Sequence, residues 1–251
     1  VQMFCLGHYM FADITSDNIT SWIQKPVRAI YTDEEANLWI GTKGDGVIKV
    51  RNDENYNHGT ISSSQTMNYT LNDGLSNNNV YCFLRSRYHD ILWIGTDGPG
   101  FSYFSYKDHT VRSLSGKSGG LIGKVHSICE INDSVLWMAT AGQGLLEVII
   151  KEEFSQLIIR SVSEYVLKKG ERTCLEFHSM FYDGDSALFI GSRGGHGVVR
   201  YHIRTKHYEF IQMKNAKNSA IGDVLCIYQS RDSNFYIGAS SGMTRIQYME
   251  N

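Results

Sequence analysis

A five-residue pattern that recurs five times constrains the fold more than any other feature of the chain. It reads Leu-Trp-Ile-Gly-Thr at residues 38–42 and 92–96, and Leu-Trp-Met-Ala-Thr at residues 136–140. Two looser copies, Leu-Phe-Ile-Gly-Ser and Phe-Tyr-Ile-Gly-Ala, follow at residues 188–192 and 235–239. The aromatic anchors of the copies are 54, 44, 52 and 47 residues apart, and they are Trp39, Trp93, Trp137, Phe189 and Tyr236. An internal period of this length indicates repeats of one supersecondary unit.

Strand-like segments flank every copy of the pattern. The upstream segment begins 12 residues before the anchor, or 13 in the second repeat, with a large apolar first residue and a small third residue. Glycine-rich turns such as residues 44–46 follow the pattern, and glycine accepts the positive φ of hairpin turns. A weaker fourth strand is expected near residues 67–70 and 207–211. Four short strands per repeat predict an all-β chain, a β-propeller of four-stranded antiparallel blades.

The repeats divide the chain into about five blades. Residues 1–25 are expected to form an N-terminal strand or linker that could complete a blade. Residues 26–251 are expected to form the propeller. The expected blades cover residues 26–72, 73–118, 119–170, 171–218 and 219–251. The spacing within residues 152–169 also fits a helix, but an outer strand is due there, so we predict a strand.

The anchors are interpreted as structural residues. A wide aromatic ring fills the wedge between neighbouring blades, and the glycine that follows it lets the adjacent blade approach closely. Small residues at the third inner-strand position, Cys82 and Cys226 among them, suit the crowded centre of a propeller.

Charge and cysteine content exclude several classes of function. The chain has 24 basic and 26 acidic residues, so it lacks the excess of positive charge that is typical of proteins that bind nucleic acid. No apolar run approaches the roughly 18 residues of a membrane helix, so any membrane contact would come through segments outside this sequence. None of the five cysteines belongs to a Cys-x-x-Cys pair. We expect neither a metal site nor a cofactor.

Ligands of propellers usually bind near the axis, on the face formed by the loops that enter the inner strands and by the hairpins between the second and third strands. The mixture of charged, amide and aromatic side chains on that face suits sugar recognition, although it also suits an ordinary solvated surface. The candidate ligand-binding residues are Arg28, Lys43, Asp45, Asn77, Asn78, Tyr81, Asp97, His126, Gln143, Arg193 and His196. For Asn77 and Asn78, a role in the turn itself is the specific alternative.

Catalytic motifs are not recognisable, and we expect no enzyme activity from this chain. There is no Gly-x-Ser-x-Gly elbow, and the neighbouring carboxylates Asp183 and Asp185 lie in a glycine-containing turn. His126 and His178 occupy equivalent inner-strand positions of adjacent blades and could approach one another near the axis.

Four segments closely resemble the two-component regulator propeller repeat: residues 27–33, 37–44, 73–80 and 91–98. That resemblance implies the periplasmic sensor region of a hybrid histidine kinase/response regulator of the kind found in gut Bacteroidetes. It implies two seven-bladed propellers followed by an immunoglobulin-like domain, a membrane helix and cytoplasmic signalling domains. It further implies glycan fragments as the signals and a homodimer as the intact receptor.

These observations predict a periplasmic ligand-sensing propeller that recognises glycan-derived oligosaccharides. Two alternatives stay open: a propeller-fold polysaccharide lyase or hydrolase, and a protein-interaction scaffold. The five blades are either part of a seven-bladed propeller or a closed ring of five, in which residues 1–20 would supply the outer strand of the last blade.

Overall fold

The computed structural model describes residues 23–52, 66–114, 122–211, 221–230 and 234–247. Within these residues the chain is all-β, with antiparallel sheets and a single 3₁₀ turn at Leu71–Asp73. The ring-closing strand considered for residues 1–20 lies outside the described residues.

Four blades are four-stranded antiparallel meanders, and the fifth has three strands within the described residues. The first blade contains β1 (Val27–Thr32), β2 (Leu38–Thr42), β3 (Val47–Val50) and β4 (Thr66–Tyr69). The second contains β5 (Val80–Arg85), β6 (Ile91–Thr96), β7 (Phe101–Ser105) and β8 (Thr110–Leu114). The third contains β9 (Lys124–Glu130), β10 (Val135–Ala141), β11 (Leu145–Glu153) and β12 (Gln156–Tyr165).

A two-stranded hairpin separates the third and fourth blades, formed by β13 (Leu167–Lys169) and β14 (Arg172–Cys174). The fourth blade contains β15 (Phe177–Tyr182), β16 (Ala187–Ser192), β17 (Val198–His202) and β18 (Tyr208–Ile211). The fifth contains β19 (Val224–Gln229), β20 (Asn234–Ala239) and β21 (Gly242–Gln247). The strand predicted for residues 152–169 is present, and the boundary expected at residue 170 falls in the turn of the β13–β14 hairpin.

The innermost strands arrange the blades in a ring. Each contacts the innermost strand of the next blade, in the order β1, β5, β9, β15 and β19. The predicted β-propeller architecture is confirmed.

The aromatic anchors of the first four blades pack onto the next blade along the chain. Trp39 is fully buried, and its ring lies 4.7 Å from that of Phe104 in the second blade. Trp93 is also fully buried, and its indole Nε1 donates a 2.6 Å hydrogen bond to Glu130 in the third blade. Phe189 meets Phe235 in the fifth blade at 5.1 Å between ring centroids. The anchors therefore join successive blades, as the sequence predicts.

The glycine after the anchor removes the side chain that would hold two blades apart. A Cβ built on Gly41 would lie 2.7 Å from Cγ1 of Val80, the first residue of the next inner strand. The same Cβ would lie 3.2 Å from Cβ of Ala29, the small third residue of its own inner strand. Gly191 is equally close to Val224, at 2.7 Å from its Cγ1. Close approach of the blades at Gly41 and Gly191 therefore depends on glycine, whereas the third blade has Ala139 at the same position.

Replacing Gly41 with alanine should lower the free energy of unfolding by about 1–3 kcal/mol, because the added methyl overpacks the contact with Val80. Gly238→Ala is the matched control. The methyl there meets only the side-chain sulfur of Cys226, so the loss should be smaller. Denaturant unfolding of both variants measures the difference, and equal losses would contradict the interblade explanation.

Candidate functional site

One side chain from each blade lines a cavity of about 500 Å³ at the propeller axis. Each is the second residue of the repeat's inner strand. Because side chains alternate along a strand and the first and third positions pack within the sheet contacts, the second position faces the axis. The five residues are Arg28, Tyr81, His126, His178 and Leu225.

Four of these side chains form a continuous ladder across four blades. The Arg28 guanidinium carbon lies 4.4 Å from the centroid of the Tyr81 ring. The ring centroids of Tyr81 and His126 are 4.3 Å apart, and those of His126 and His178 are 4.6 Å apart. The Nδ1 atoms of the two histidines are 2.9 Å apart, so one ring donates a hydrogen bond and the other accepts it.

Charged residues surround the ladder. Lys124, Glu176 and Arg193 line the same cavity. Arg193 makes ion pairs with Glu176 at 3.1 Å and with Asp223 at 3.6 Å. Lys124 Nζ lies 3.8 Å from an Asp97 carboxylate oxygen, and the Tyr81 hydroxyl lies 3.5 Å from the other oxygen of that carboxylate. The cavity therefore offers both donors and acceptors around an aromatic surface.

Burial and positive neighbours keep the axial histidines neutral near pH 7. Burial first, and then charge repulsion from His178, Arg28, Lys124 and Arg193, together lower the pKa of His126 to about 4. The pKa of His178 is also lowered, first by burial and then by Arg193. A neutral imidazole pair can bind a hydroxyl group as donor or acceptor, or accept a proton.

A second cavity of about 550 Å³ adjoins the axial one, since Glu176 and Arg193 line both. Thr173 and Cys174 of β14 form part of its wall, and His196 and Asp223 lie on it as well. The β13–β14 hairpin thus extends the axial site outward between the third and fourth blades.

The predicted site residues divide into two groups. Arg28, Tyr81, His126 and Arg193 line the axial cavity, and His196 lines the adjoining one. The other predicted residues either connect the loops of this face or flank the cavities. These residues are Lys43, Asp45, Asn77, Asn78, Asp97 and Gln143.

Backbone contacts occupy most members of that second group. The Asn77 amide donates to the Gly98 carbonyl at 3.0 Å, and the Asn78 side-chain oxygen accepts from the Leu71 amide at 2.8 Å. The backbone amide of Asp45 donates to the Thr42 hydroxyl at 2.9 Å. Asn77 and Asn78 therefore act in the turn, the alternative raised from the sequence.

Lys43 and Gln143 connect neighbouring blades. Lys43 forms a β-bridge with Asn79. The Gln143 side-chain oxygen accepts a 2.5 Å hydrogen bond from the Gly123 amide. Both residues sit where loops of adjacent blades meet, outside the two cavities.

The list of candidate ligand-binding residues omitted six residues of the axial cavity: Lys124, Ala141, Gly142, Glu176, His178 and Leu225. The sequence had already placed His178 beside His126 near the axis, and Leu225 could have been found in the same way, because it occupies the same repeat position. Lys124 and Glu176 directly precede the first inner-strand position of their blades, which is the equivalent place in two repeats.

Two further properties concern the described part of the chain. It contains no group of three His, Cys, Asp or Glu side chains arranged to hold a metal ion. It also contains no helix with the length and apolar character needed to cross a membrane.

Acidification should destabilise the protein through His126. The pKa of His126 is about 4 in the folded protein and about 6.5 in the unfolded chain. The neutral ring therefore contributes fully to the free energy of unfolding above pH 6.5, and this contribution is lost as the pH falls to about 4. His126→Gln should therefore show a smaller loss of unfolding free energy between pH 7 and pH 4.5 than the unmodified protein. Denaturant unfolding at both pH values measures this loss. The exposed His207→Gln is the control, and a pH dependence unchanged in His126→Gln would refute the assignment.

Comparison with known proteins supports the repeat and the fold. Residues 74–98, at the start of the second blade, match the family model described as two component regulator propeller. A search of curated proteins found no match.

Solved structures with the same fold include the extracellular domains of two bacterial two component systems. The extracellular domain of the hybrid two component system BT4673 from B. thetaiotaomicron is 17% identical, with a TM-score of 0.61, and the match covers 90% of this chain and 28% of that one. The corresponding domain of BT3049 from the same organism is 18% identical, with a TM-score of 0.51, over 87% of this chain and 33% of that one. The present chain thus spans about a third or less of either domain.

An enzyme shares the fold as well. Virginiamycin B lyase from Staphylococcus aureus is 12% identical, with a TM-score of 0.57, over 91% of this chain and 71% of that one. At these identities the similarities show the β-propeller fold, and function has to be argued from the site.

Proposed function

We propose that this chain is the periplasmic ligand-sensing propeller of a hybrid two-component sensor and that its axial cavity binds oligosaccharides derived from glycans. The observation that carries the proposal is the polar ladder of Arg28, Tyr81, His126 and His178 at the centre of a propeller with a two component regulator repeat. Aromatic faces and paired donors and acceptors are the groups that recognise sugar rings and hydroxyls.

The dimensions of the site support an extended ligand. Two adjoining cavities of about 500 and 550 Å³ share Glu176 and Arg193, and each falls within the usual range for small-molecule sites. A pure interaction scaffold would need a broad apolar patch rather than polar cavities. The cavities thus favour a small ligand over a protein partner.

Signalling would follow from a difference in ligand affinity between two arrangements of the receptor. A ligand shifts such an equilibrium only by the ratio of its affinities for the two states. In the intact receptor we place this shift in the packing of propellers within a homodimer, from which it reaches domains outside this chain.

Oligosaccharides of plant and host glycans should raise the melting temperature of the protein when one of them fits the cavity. A ligand at 100 times its Kd adds about 2.7 kcal/mol of stability. Tyr81→Ala should weaken binding by about tenfold or more, because it removes the central ring of the ladder. Tyr88→Ala is the control, since the exposed Tyr88 lies in the β5–β6 loop at the other end of that inner strand. Thermal shift and calorimetry measure both effects. Absence of a shift with every member of the panel would contradict oligosaccharide sensing.

A second candidate function is polysaccharide cleavage by a lyase mechanism, and the convergence of Tyr81, His126 and His178 favours it. Neutral His126 has the protonation state of a general base at pH 7, and Tyr81 lies beside it as a proton donor. Turnover of a polysaccharide, followed by the absorbance of the unsaturated product, should then disappear in His126→Ala. Binding without turnover would reject the lyase and retain the sensor.

A further inference from the structure

Positive charge is concentrated at one end of the axial cavity. Arg28 belongs to the first blade and Lys124 to the third, and both line the cavity with Tyr81 and His126. Among the described residues no acid forms an ion pair with Arg28, whose guanidinium rests over the Tyr81 ring. Lys124 has only a distant pair, 3.8 Å from Asp97, with half of its side chain exposed. Both cations remain available to a ligand.

At the opposite end of the cavity, acidic residues balance the positive charge. Arg193 is held by Glu176 at 3.1 Å and by Asp223 at 3.6 Å. Those acids also act on His178, since both Glu176 and Asp223 raise its pKa against the lowering effects of burial and Arg193. No acid raises the pKa of His126, in contrast, whereas Arg28 and Lys124 are among the groups that lower it. The cavity is therefore polarised from the side of Arg28 and Lys124, which lack a close acid, to the side of Arg193, where Glu176 and Asp223 balance the charge.

We propose that the Arg28–Lys124 end of the axial cavity binds the oxyanion of an acidic sugar, a carboxylate or a sulfate ester, and that uncharged sugars of the same ligand extend into the adjoining cavity. This inference rests on the proposed binding of oligosaccharides and specifies their class. A planar guanidinium pairs with a carboxylate or sulfate through two hydrogen bonds, and Lys124 adds a mobile point charge.

The adjoining cavity suits the uncharged part of such a ligand. It is lined by Glu176, Arg193, His196 and Asp223. Arg193 pairs with both acids, and these ion pairs can be exchanged for contacts with sugar hydroxyl groups. Because Glu176 and Arg193 belong to both cavities, a chain of two or three sugars would pass between them without leaving the protein surface.

Proton uptake would accompany binding. His126 faces His178, Arg28, Lys124 and Arg193, with Asp97, Glu176 and Asp223 as the nearby acids on the surrounding loops. An oxyanion beside Arg28 and Lys124 offsets the repulsion that lowers the pKa of His126, so this pKa rises in the complex. Affinity for an acidic ligand therefore increases as the pH falls from 7.5 to 5.

Inorganic sulfate tests the oxyanion site without any sugar. In the unmodified protein, sulfate should shift the imidazole resonances of His126 and His178 in a saturable manner and should raise the pKa of His126 by about one unit. The double variant Arg28→Gln/Lys124→Gln should abolish both effects, and the exposed Arg160→Gln should keep them. Resonances that move no more with sulfate than with chloride at equal ionic strength would overturn the proposal.

A matched pair of trisaccharides separates this inference from the proposed function. A galacturonic acid trisaccharide should bind at least tenfold more tightly than the galactose trisaccharide of the same linkage, and about twofold more tightly at pH 5 than at pH 7.5. His126→Gln should flatten that pH dependence. Equal affinity for both sugars, lost in Tyr81→Ala, would overturn the oxyanion site and retain oligosaccharide sensing. Sulfate binding with neither sugar bound would retain the site and reject the oligosaccharide function.

Discussion

The close contact between a glycine of one blade and the first inner-strand residue of the next, present at Gly41, Gly95 and Gly191, sets the spacing of the blades that it joins. At Gly41 a single added carbon would come within 2.7 Å of Val80, so the two sheets are as near as backbones allow. Farther from the axis, where the wedge opens, Trp39 and its equivalents fill the space that this contact leaves. Small residues inside and wide rings outside thus produce the taper that makes the blades radiate.

The functional cavity follows from the same contact. Since the first and third inner-strand residues are committed to packing, the residue between them is the one that reaches the axis. Close approach of the blades then brings these residues within 4.3–4.6 Å of one another for Tyr81, His126 and His178. The site is therefore a product of repeat register and blade spacing, and the residue type at the second position decides its chemistry.

The sequence predicted those parts that repeat and missed those that do not. Strand order, the packing of Trp39 and Trp93, and the axial position of Arg28, Tyr81 and His126 all follow from counting within the repeat. The β13–β14 hairpin has no counterpart in the other blades, so the period gave no sign that it would extend the site. Equally, the ion pairs of Arg193 and the loop contacts of Asn78 depend on distances between blades, which a single sequence does not contain.

The composition of the axial ladder distinguishes a binding site from a packing site. Leu225 shows that an apolar side chain is compatible with the second position, yet four blades place Arg28, Tyr81, His126 and His178 there. The imidazoles are half-buried, and the desolvation penalty is visible in the lowered pKa of His126. The Nε2 atom of His126 is buried and has no hydrogen-bond partner among the described residues. Packing alone gives no reason to retain such groups, whereas a ligand that supplies the missing charge and hydrogen bonds does.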